Sequence, residues 1–283
     1  MREFKERELE ALYKPQEQSS KGDNGIVTII GGSTLFHGAP LLSLKTASRG
    51  VGIVCFTSPE PSVGKVAENL KSKLLSFIWV PWEELGEYIQ KSDAVLIGPG
   101  LMRYRSEQGR HKQHRVSDEV GEATKKLTER LLQEFPQKQW VIDAGSLQTM
   151  EARFIPKNAI LTPNQKEFEM LFSTKPNQEN TEAVVKEYQA IILLKGQRAI
   201  VCSSQESVLI KGGNEGLNKG GMGDVLAGLV LALSAKNPPL LAACAASYLA
   251  KKAADNLYKE RGFAYNADDL AEEIVRVLGE YFK

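Results

Sequence analysis

Short apolar segments alternate with longer amphipathic segments along most of the chain, and this alternation restricts the fold more than any other feature of the sequence. Segments with helical spacing occupy 41–50, 122–135 and 166–172. The pattern is typical of βαβ units and predicts an α/β fold with a mostly parallel sheet. The predicted strands are GIVTIIGG (25–32), GIVCFTS (52–58), LLSFIWV (74–80), AVLIGPG (94–100), WVIDAG (140–145), AILTP (159–163) and AIILLKG (190–196).

The N-terminal region departs from this alternation. Residues 2–13 predict a short helix that ends before Pro15, and residues 16–24 form a polar connector. Further along, the chain has no linker rich in Pro, Gly or Ser that is long enough to divide it. We therefore expect a single domain over residues 1–283, in which residues 1–24 are an N-terminal helix and connector.

The C-terminal third predicts different elements. AIVCSS (199–204) and SVLIKGG (207–213) are separated by two residues and predict an antiparallel hairpin at the edge of the sheet. From Asp224 onwards the spacing is helical. The Ala-rich part of this region, LLAACAASYLAKKAA, predicts either a core helix or an oligomer interface.

Charge and cysteine content exclude several functional classes. Lys and Arg total 36 against 35 Asp and Glu, so the formal net charge of +1 indicates no general attraction to nucleic acid or membranes. Cys55, Cys202 and Cys244 lie far apart in apolar runs, which predicts reduced, buried thiols rather than disulfides or a zinc site. No apolar run approaches the ~20 residues of a membrane span. These features predict a cytoplasmic protein.

Several predicted strands end in glycine. Gly31-Gly32, Gly98, Gly145 and Gly196 each close a strand, and ligands of open α/β sheets bind beyond the carboxyl ends of the strands. Each glycine taken alone is equally consistent with a simple βα turn. Together they predict a shared ligand-binding edge.

The segment NKGGMGDVLAGLV (218–230) places one carboxylate among three glycines at the start of an apolar helix. The free N–H groups of Gly221, Met222 and Gly223 predict an anion hole for a phosphoryl group in transfer. Asp224 is then interpreted as a general base that takes a proton from an attacking hydroxyl. The alternative is a helix N-cap, worth about 0.5–2 kcal/mol, and both roles are compatible.

Six segments, in chain order, resemble the ADP-dependent NAD(P)H-hydrate dehydratases, a branch of the ribokinase-like superfamily. The resemblance extends over about residues 20–280, and its most specific part is the last segment. The six are KGDNGIVTIIGGSTLFHGAPLLSLKTASRGVGIV, VLIGPGL, VIDAGSL, ILTPNQKEFEMLF, LLKGQRAIV and GGNEGLNKGGMGDVLAGLVLAL. About 24 residues precede the first strand, so the N-terminal epimerase domain that often accompanies this family is not expected.

The resemblance implies a ribokinase-like three-layer α/β/α sandwich and a repair reaction. The implied substrates are (S)-NADHX and NADPHX, in which water has added to the ring of NADH or NADPH. ADP, or alternatively ATP, phosphorylates the ring hydroxyl in the presence of Mg²⁺. Loss of phosphate then restores the dihydronicotinamide and, with ADP, leaves AMP. A homotetramer is also implied.

The resemblance further implies roles for individual residues. Asp224 acts as the base on the hydrate hydroxyl, Glu167 handles magnesium or phosphate through water, and Asn214 lies near the adenine or the substrate. The other implied positions are Ala39, Gly100 and Asn164 for the substrate, Lys195, Gly196, Gln197, Arg198, Ala199 and Gly223 for the nucleotide, and Gly221, Met222 and Gly223 for the anion hole.

Four positions differ from the family pattern. Asn164 replaces a histidine, Ala199 a threonine, Gly145 a second aspartate, and Lys219 a small hydroxyl residue, where its amine would clash with a phosphate or clamp it. These differences motivate one alternative, a catalytically weak nucleotide-binding homologue. A second alternative is a ribokinase-like kinase for a vitamin precursor or a sugar.

The basic stretch MRYRSEQGRHKQHRVSDE (102–119) lacks a clear period. It is interpreted as a solvated insertion or as a lid that brings Arg or Lys over a polyphosphate.

Overall fold

In this computed structural model, residues 1–105 and 118–282 are described, and within them one β-sheet carries helices on both faces. The strands are β1 (Arg2–Glu3), β2 (Ile26–Ile30), β3 (Ile53–Thr57), β4 (Ile78–Trp79), β5 (Ala94–Ile97), β6 (Gln139–Ile142), β7 (Ile160–Leu161), β8 (Ile191–Leu194), β9 (Ala199–Cys202) and β10 (Ser207–Ile210). The helices are α1 (Gly38–Ala47), α2 (Pro61–Leu70), α3 (Leu85–Lys91), α4 (Glu119–Glu134), α5 (Ala144–Thr149), α6 (Gln165–Phe172), α7 (Gln178–Tyr188), α8 (Met222–Ser234), α9 (Pro239–Arg261) and α10 (Ala267–Tyr281).

The strand order is β1-β10-β9-β8-β7-β6-β5-β2-β3-β4. Neighbouring strands are parallel except at the β8–β9 and β9–β10 pairs. The mostly parallel sheet predicted from the alternating pattern is confirmed. The sheet is apolar on both faces because helices cover both, which explains the continuous apolar runs of its strands.

Alternate residues of the central strands enter two separate hydrophobic cores. In β5, Ala94 and Leu96 belong to the core shared with α1, α8, α9 and α10. Val95 and Ile97 belong to the core on the opposite face, shared with helices α3 to α7. This two-sided packing makes the three-layer α/β/α sandwich.

Several smaller predictions also have clear outcomes. Cys55, Cys202 and Cys244 are free and buried, and burial raises the pKa of each thiol. The alanines of α9 lie in the core rather than on an exposed face. No helix among the described residues is both long enough and apolar enough to cross a membrane. Most of the basic stretch predicted to be an insertion or a lid, residues 106–117, lies outside the described residues.

The N-terminal segment is not the predicted helix. Arg2–Glu3 forms β1, parallel to β10, and Glu6–Ala11 forms a short 3₁₀ helix. Phe4 and Leu9 are buried in the first core, and this tertiary burial overrides the local helical spacing. The antiparallel β9–β10 hairpin is confirmed, but it lies one strand inside the edge because β1 covers β10.

Other element boundaries also differ from the prediction. The apolar run 74–80 contributes β4 alone, and Leu75 is exposed. Helices α2, α3, α5 and α7 were not predicted. β6 ends at Ile142, so Gly145 lies in the first turn of α5 rather than at a strand end.

Close packing of α8 against α1 leads to a stability prediction. A Cβ at Gly228 would lie 2.4 Å from the carbonyl oxygen and 2.7 Å from the Cα of Ser43. We therefore expect Gly228→Ala to lower the free energy of unfolding by about 2–3 kcal/mol, because the two helices must separate. Urea unfolding followed by circular dichroism measures this change.

Gly279 in α10 offers a matched control, because a Cβ there meets no atom within 4 Å. Gly279→Ala should raise the unfolding free energy by about 0.5–1 kcal/mol through helix propensity. Equal effects of the two substitutions would show that the contact between α1 and α8 does not restrict residue size.

Candidate active site

The carboxyl ends of β2, β5, β6, β7 and β8 lie side by side at one edge of the sheet, since these strands are adjacent and parallel. In the loop after β5, Gly100 has a φ of +73°, and a Cβ there would lie 2.5 Å from the carbonyl oxygen of Phe36. Gly100 therefore packs against the segment that enters α1, which carries Ala39 in its first turn. The structure brings these two predicted substrate positions together.

The start of α8 lies at this same edge. Gly221 is its N-cap, with a φ of +87° that a residue with a side chain rarely adopts. Asp224 is the third residue of the helix, so the alternative interpretation of Asp224 as the N-cap is wrong. Met222 N–H already donates to the Lys219 carbonyl at 3.4 Å, and the Asp224 N–H bonds to its own carboxylate. The Gly223 amide is therefore the freer donor of the first turn.

Ser43 fixes the first turn of α8 against α1. Its hydroxyl donates to the Asp224 carbonyl oxygen at 2.7 Å, and Ser43 itself is buried. Ser43 lies one turn after Ala39 in α1, so this bond sets the position of Asp224 relative to the predicted substrate side. Sequence reasoning missed Ser43, because nothing local to it indicates a partner 181 residues away.

A buried ion cluster lies beside Asp224. Lys195, directly after β8, donates to Asp143 Oδ1 at 2.7 Å, and its Nζ lies 3.7 Å from Glu167 Oε2. Asp143 directly follows β6 and also accepts from the Thr162 hydroxyl at 2.8 Å. Sequence reasoning assigned no role to Asp143, although its place after a buried strand was an available signal.

The cluster changes the protonation of its members. Asp224 is half-buried, and burial followed by the charge of Asp143 raises its pKa to about 7, against the opposing effect of Lys195. Burial is also the main cause that raises the pKa of Glu167. Burial lowers the pKa of Lys195, but the charges of Asp143 and Glu167 outweigh it, so that pKa is raised. Asp224 is therefore suited to exchange a proton near neutral pH.

A cavity of about 470 Å³ opens between the β8–β9 turn and the starts of α8 and α10. Its wall is apolar at Leu217, Leu226 and Leu270 and polar near the ion cluster, which suits a base at one end and phosphates at the other. The predicted positions that line it are Asn164, Lys195, Gly196, Gln197, Ala199, Asn214, Met222 and Gly223. Arg198 is exposed and does not line this cavity.

The departures from the family pattern have structural roles. Asn164 caps α6: its side chain accepts from Glu167 N–H at 3.0 Å, and Glu167 Oε2 accepts from Asn164 N–H at 2.8 Å. A Cβ at Gly145 would lie 2.3 Å from the Leu101 carbonyl oxygen, so a second carboxylate has no room there. Ala199 is buried where β9 begins.

Lys219 does not line the cavity. Its amine donates to the backbone carbonyls of Phe263 and Tyr265 and lies 3.9 Å from the centroid of the Phe263 ring. It fastens the segment before α8 to the connection between α9 and α10. The clash or clamp predicted for Lys219 is therefore not what the structure shows.

The residues of the cluster fit magnesium that is held mainly by a bound nucleotide. Among residues 1–105 and 118–282, no group of three or more His, Cys, Asp or Glu side chains forms a metal site. Mg²⁺ commonly uses one or two protein carboxylates together with phosphate oxygens and waters. Both oxygens of Glu167 already accept hydrogen bonds, from Gln148 and Asn164, which favours contact through water. Magnesium would there supply charge that offsets the phosphates.

Comparison with known proteins identifies similar chains. A family model described as NAD(P)H-hydrate dehydratase matches residues 27–276. The bifunctional NAD(P)H-hydrate repair enzyme Nnr of Methanocaldococcus jannaschii is 34% identical over 96% of this chain and 51% of its own length. The ADP-dependent (S)-NAD(P)H-hydrate dehydratase of Nitrosopumilus maritimus is 29% identical over 95% of this chain and 93% of its own length. The chain thus spans about half the length of the bifunctional relatives.

Solved structures share the fold. A ribokinase-like superfamily protein of Enterococcus faecalis superposes with a TM-score of 0.81 at 21% identity, covering 99% of this chain and 96% of that one. The ADP/ATP-dependent NAD(P)H-hydrate dehydratase of Bacillus subtilis, co-crystallized with ATP and Mg²⁺, gives a TM-score of 0.77 at 23% identity over 99% and 98% of the two chains. These likenesses confirm the ribokinase-like sandwich.

Proposed function

Because the chain belongs to the NAD(P)H-hydrate dehydratase family, we propose that it is a lyase that returns (S)-NADHX or NADPHX to NADH or NADPH with ADP as the phosphoryl donor. The observation that carries this proposal is the position of Asp224. Its carboxylate has a pKa of about 7 and lies in the first turn of α8, beside the Gly223 amide and next to a cavity of nucleotide size.

The geometry supports a two-step reaction. Asp224 takes the proton of the ring hydroxyl, and the oxygen forms a bond to the β-phosphorus of ADP while the bond from that phosphorus to AMP breaks. Phosphate is a far better leaving group than hydroxide. In the second step the bond between ring carbon and phosphate oxygen breaks, a proton leaves the adjacent carbon, and the ring double bond forms.

Each charge in these steps has a matching group in the site. We assign the Gly223 amide to the transferred phosphoryl group, where negative charge accumulates in the transition state. We place the ADP in the cavity and the hydrated ring between Ala39, Gly100 and Asn164. The ammonium of Lys195 offsets the negative charge of the buried carboxylates of Asp143 and Glu167, so that the site accepts a polyphosphate.

One assay tests the proposal. The protein is incubated with NADH hydrate, Mg²⁺ and either ADP or ATP, and the absorbance of the reduced nicotinamide is followed together with orthophosphate release. Recovery of absorbance with one orthophosphate per NADH supports the dehydratase. A stable phosphorylated product without recovery identifies the kinase alternative, and nucleotide binding without turnover at high enzyme concentration identifies the weak homologue.

The pKa of Asp224 leads to a pH prediction. A base must be ionised, so kcat/KM for the hydrate should fall about tenfold per pH unit below about 7 and level off above about 8. An activity that rises as the pH falls from 8 to 5 would contradict the assignment of Asp224 as the base. ADP affinity is measured over the same pH range as a control, because weaker ADP binding at low pH would also lower the rate.

The proposal also covers the identity of the phosphoryl donor, the requirement for magnesium, the oligomeric state and the cellular compartment. The relative from Nitrosopumilus maritimus is named as ADP-dependent, whereas one from Drosophila pseudoobscura pseudoobscura, 26% identical over 93% of this chain, is named as ATP-dependent. We place this chain with the ADP-dependent enzymes, as a magnesium-requiring, cytoplasmic homotetramer. Initial rates with each nucleotide, with and without a chelator, and light scattering of the purified protein test the first three points.

A further inference from the structure

A buried lysine lies in the middle of α9, outside the residues proposed for the chemistry. Lys251 is 4% exposed, and burial lowers its pKa. Its amine donates to three backbone carbonyl oxygens, those of Gln197 at 2.7 Å, Gly212 at 2.9 Å and Gly196 at 3.3 Å. These bonds use all three N–H groups of the ammonium.

Asp255 follows Lys251 by one helical turn and bonds to the second of the two segments that Lys251 reaches. Its Oδ2 accepts from Gly213 N–H at 3.0 Å, and its Oδ1 accepts from the Asn214 side-chain amide at 3.1 Å. Both residues thus direct their polar atoms to loops rather than to solvent.

The two segments fastened in this way line the same cavity. Gly196 and Gln197 form the turn between β8 and β9, and Gly213 and Asn214 follow β10. β8 and β10 run in the same direction, so both loops project from the same edge of the sheet. They are joined to each other through α9.

A lysine is a costly choice for this position if its role is only to fill space. Burying an ammonium opposes folding, and three neutral carbonyls offset that cost only when their geometry is held. An apolar side chain would pack there without this penalty but would leave both loops unfastened. The arrangement therefore favours a function in holding the loops.

We infer that Lys251 and Asp255 are positioning residues that hold the two loops of the ADP site in their binding geometry and thereby set nucleotide affinity rather than the chemical step. The inference rests on the proposed nucleotide site. Loops that are already ordered lose less conformational entropy when ADP binds, which is the physical source of the affinity.

The test is calorimetric titration of the full chain with ADP and Mg²⁺. Lys251→Met should weaken ADP binding by about tenfold or more, and Asp255→Asn, which keeps one acceptor, by about threefold. Lys252→Met is the matched control: Lys252 is the next residue of α9 but pairs with Glu6 and Tyr281 outside the cavity. It should change ADP affinity by less than about twofold.

Kinetics separate positioning from a general structural effect. Lys251→Met should raise the KM for ADP while kcat stays within about threefold of wild type. Where Lys251→Met does not fold, Lys251→Gln is measured instead, and it should likewise weaken ADP binding by about tenfold or more. ADP affinity equal to wild type in the folded variants overturns the inference, as does a loss of kcat at unchanged KM.

Binding and turnover distinguish this inference from the proposed reaction. ADP binding that depends on Lys251, without recovery of reduced nicotinamide, supports the positioning role and contradicts the dehydratase. A wild-type chain that does not bind ADP overturns both.

Discussion

Asp224→Asn is expected to lower kcat for hydrate dehydration by a factor of about 10²–10³ and to leave ADP affinity within about threefold of wild type. Asn has nearly the same shape as Asp but cannot take the proton of the ring hydroxyl. The amides of the first turn of α8 and the cavity are untouched by the change. Stopped assays for turnover and calorimetry for ADP binding measure the two effects separately.

The same substitution should raise the free energy of unfolding at pH 8 by up to about 4 kcal/mol. The folded state holds the Asp224 proton more tightly than the unfolded state, since the pKa rises from 3.8 to about 7. Ionisation of Asp224 therefore costs stability progressively as the pH rises from about 4 to about 7, and Asn removes that cost. Near pH 4 the two proteins should be equally stable; a constant difference at all pH values would contradict this account.

Lys195→Met is expected to lower the free energy of unfolding at pH 7.5 by about 3–5 kcal/mol. The substitution removes the ammonium that faces Asp143 and Glu167, whose side chains are 2% and 8% exposed, and leaves both carboxylates without it. We also expect ADP binding to weaken by about tenfold or more, because uncompensated negative charge remains beside the phosphates. Urea unfolding and ADP titration measure the two effects.

Lys45→Met provides the control for this substitution. Lys45 also pairs with two carboxylates, but Asp268 and Glu272 are 66% and 70% exposed, so its loss should cost less than about 1 kcal/mol. Adding Asp143→Asn to Lys195→Met should restore part of the stability, because one buried charge is removed. A double variant less stable than Lys195→Met would contradict the charge argument.

The deficit of Lys195→Met should also shrink as the pH falls. Burial raises the pKa of Glu167, so acid neutralises that carboxylate and the missing ammonium matters less. A deficit that is the same at pH 5 and pH 7.5 would indicate lost packing rather than lost charge compensation.

The parts of the fold that the sequence predicted are those encoded by local patterns. Apolar runs bounded by glycine identified most strands of the sheet, and the spacing after Asp224 identified the C-terminal helices. The N-terminal segment was mistaken for a helix because its pairing partner, β10, lies about 200 residues later in the chain. The run 74–80 was overestimated because only part of it packs: Phe77 and Val80 are buried, whereas Leu75 and Ile78 are exposed at the edge of the sheet.

The residues of the candidate site also fall into two groups: those that local sequence patterns identify and those that only contacts between distant segments reveal. The glycine-rich start of α8 and its carboxylate are contiguous in the chain, so their chemistry could be inferred from residue types. The Lys195-Gly196-Gln197 segment was assigned to the nucleotide through the family resemblance. Ser43 could not be found in this way, and neither could the pairing of Lys195 with Asp143 across 52 residues.

The amino-acid order alone determined the α/β architecture with a mostly parallel sheet and the location of a carboxylate at the glycine-rich start of a helix, since periodicity and helix ends are local properties of the chain. The folded structure alone decided that Gly221 caps the helix, that Lys219 binds a neighbouring loop instead of a phosphate, and that the pKa of Asp224 rises to about 7. These outcomes depend on burial and on charges brought close through space, and the distances that set them exist only once the chain has folded.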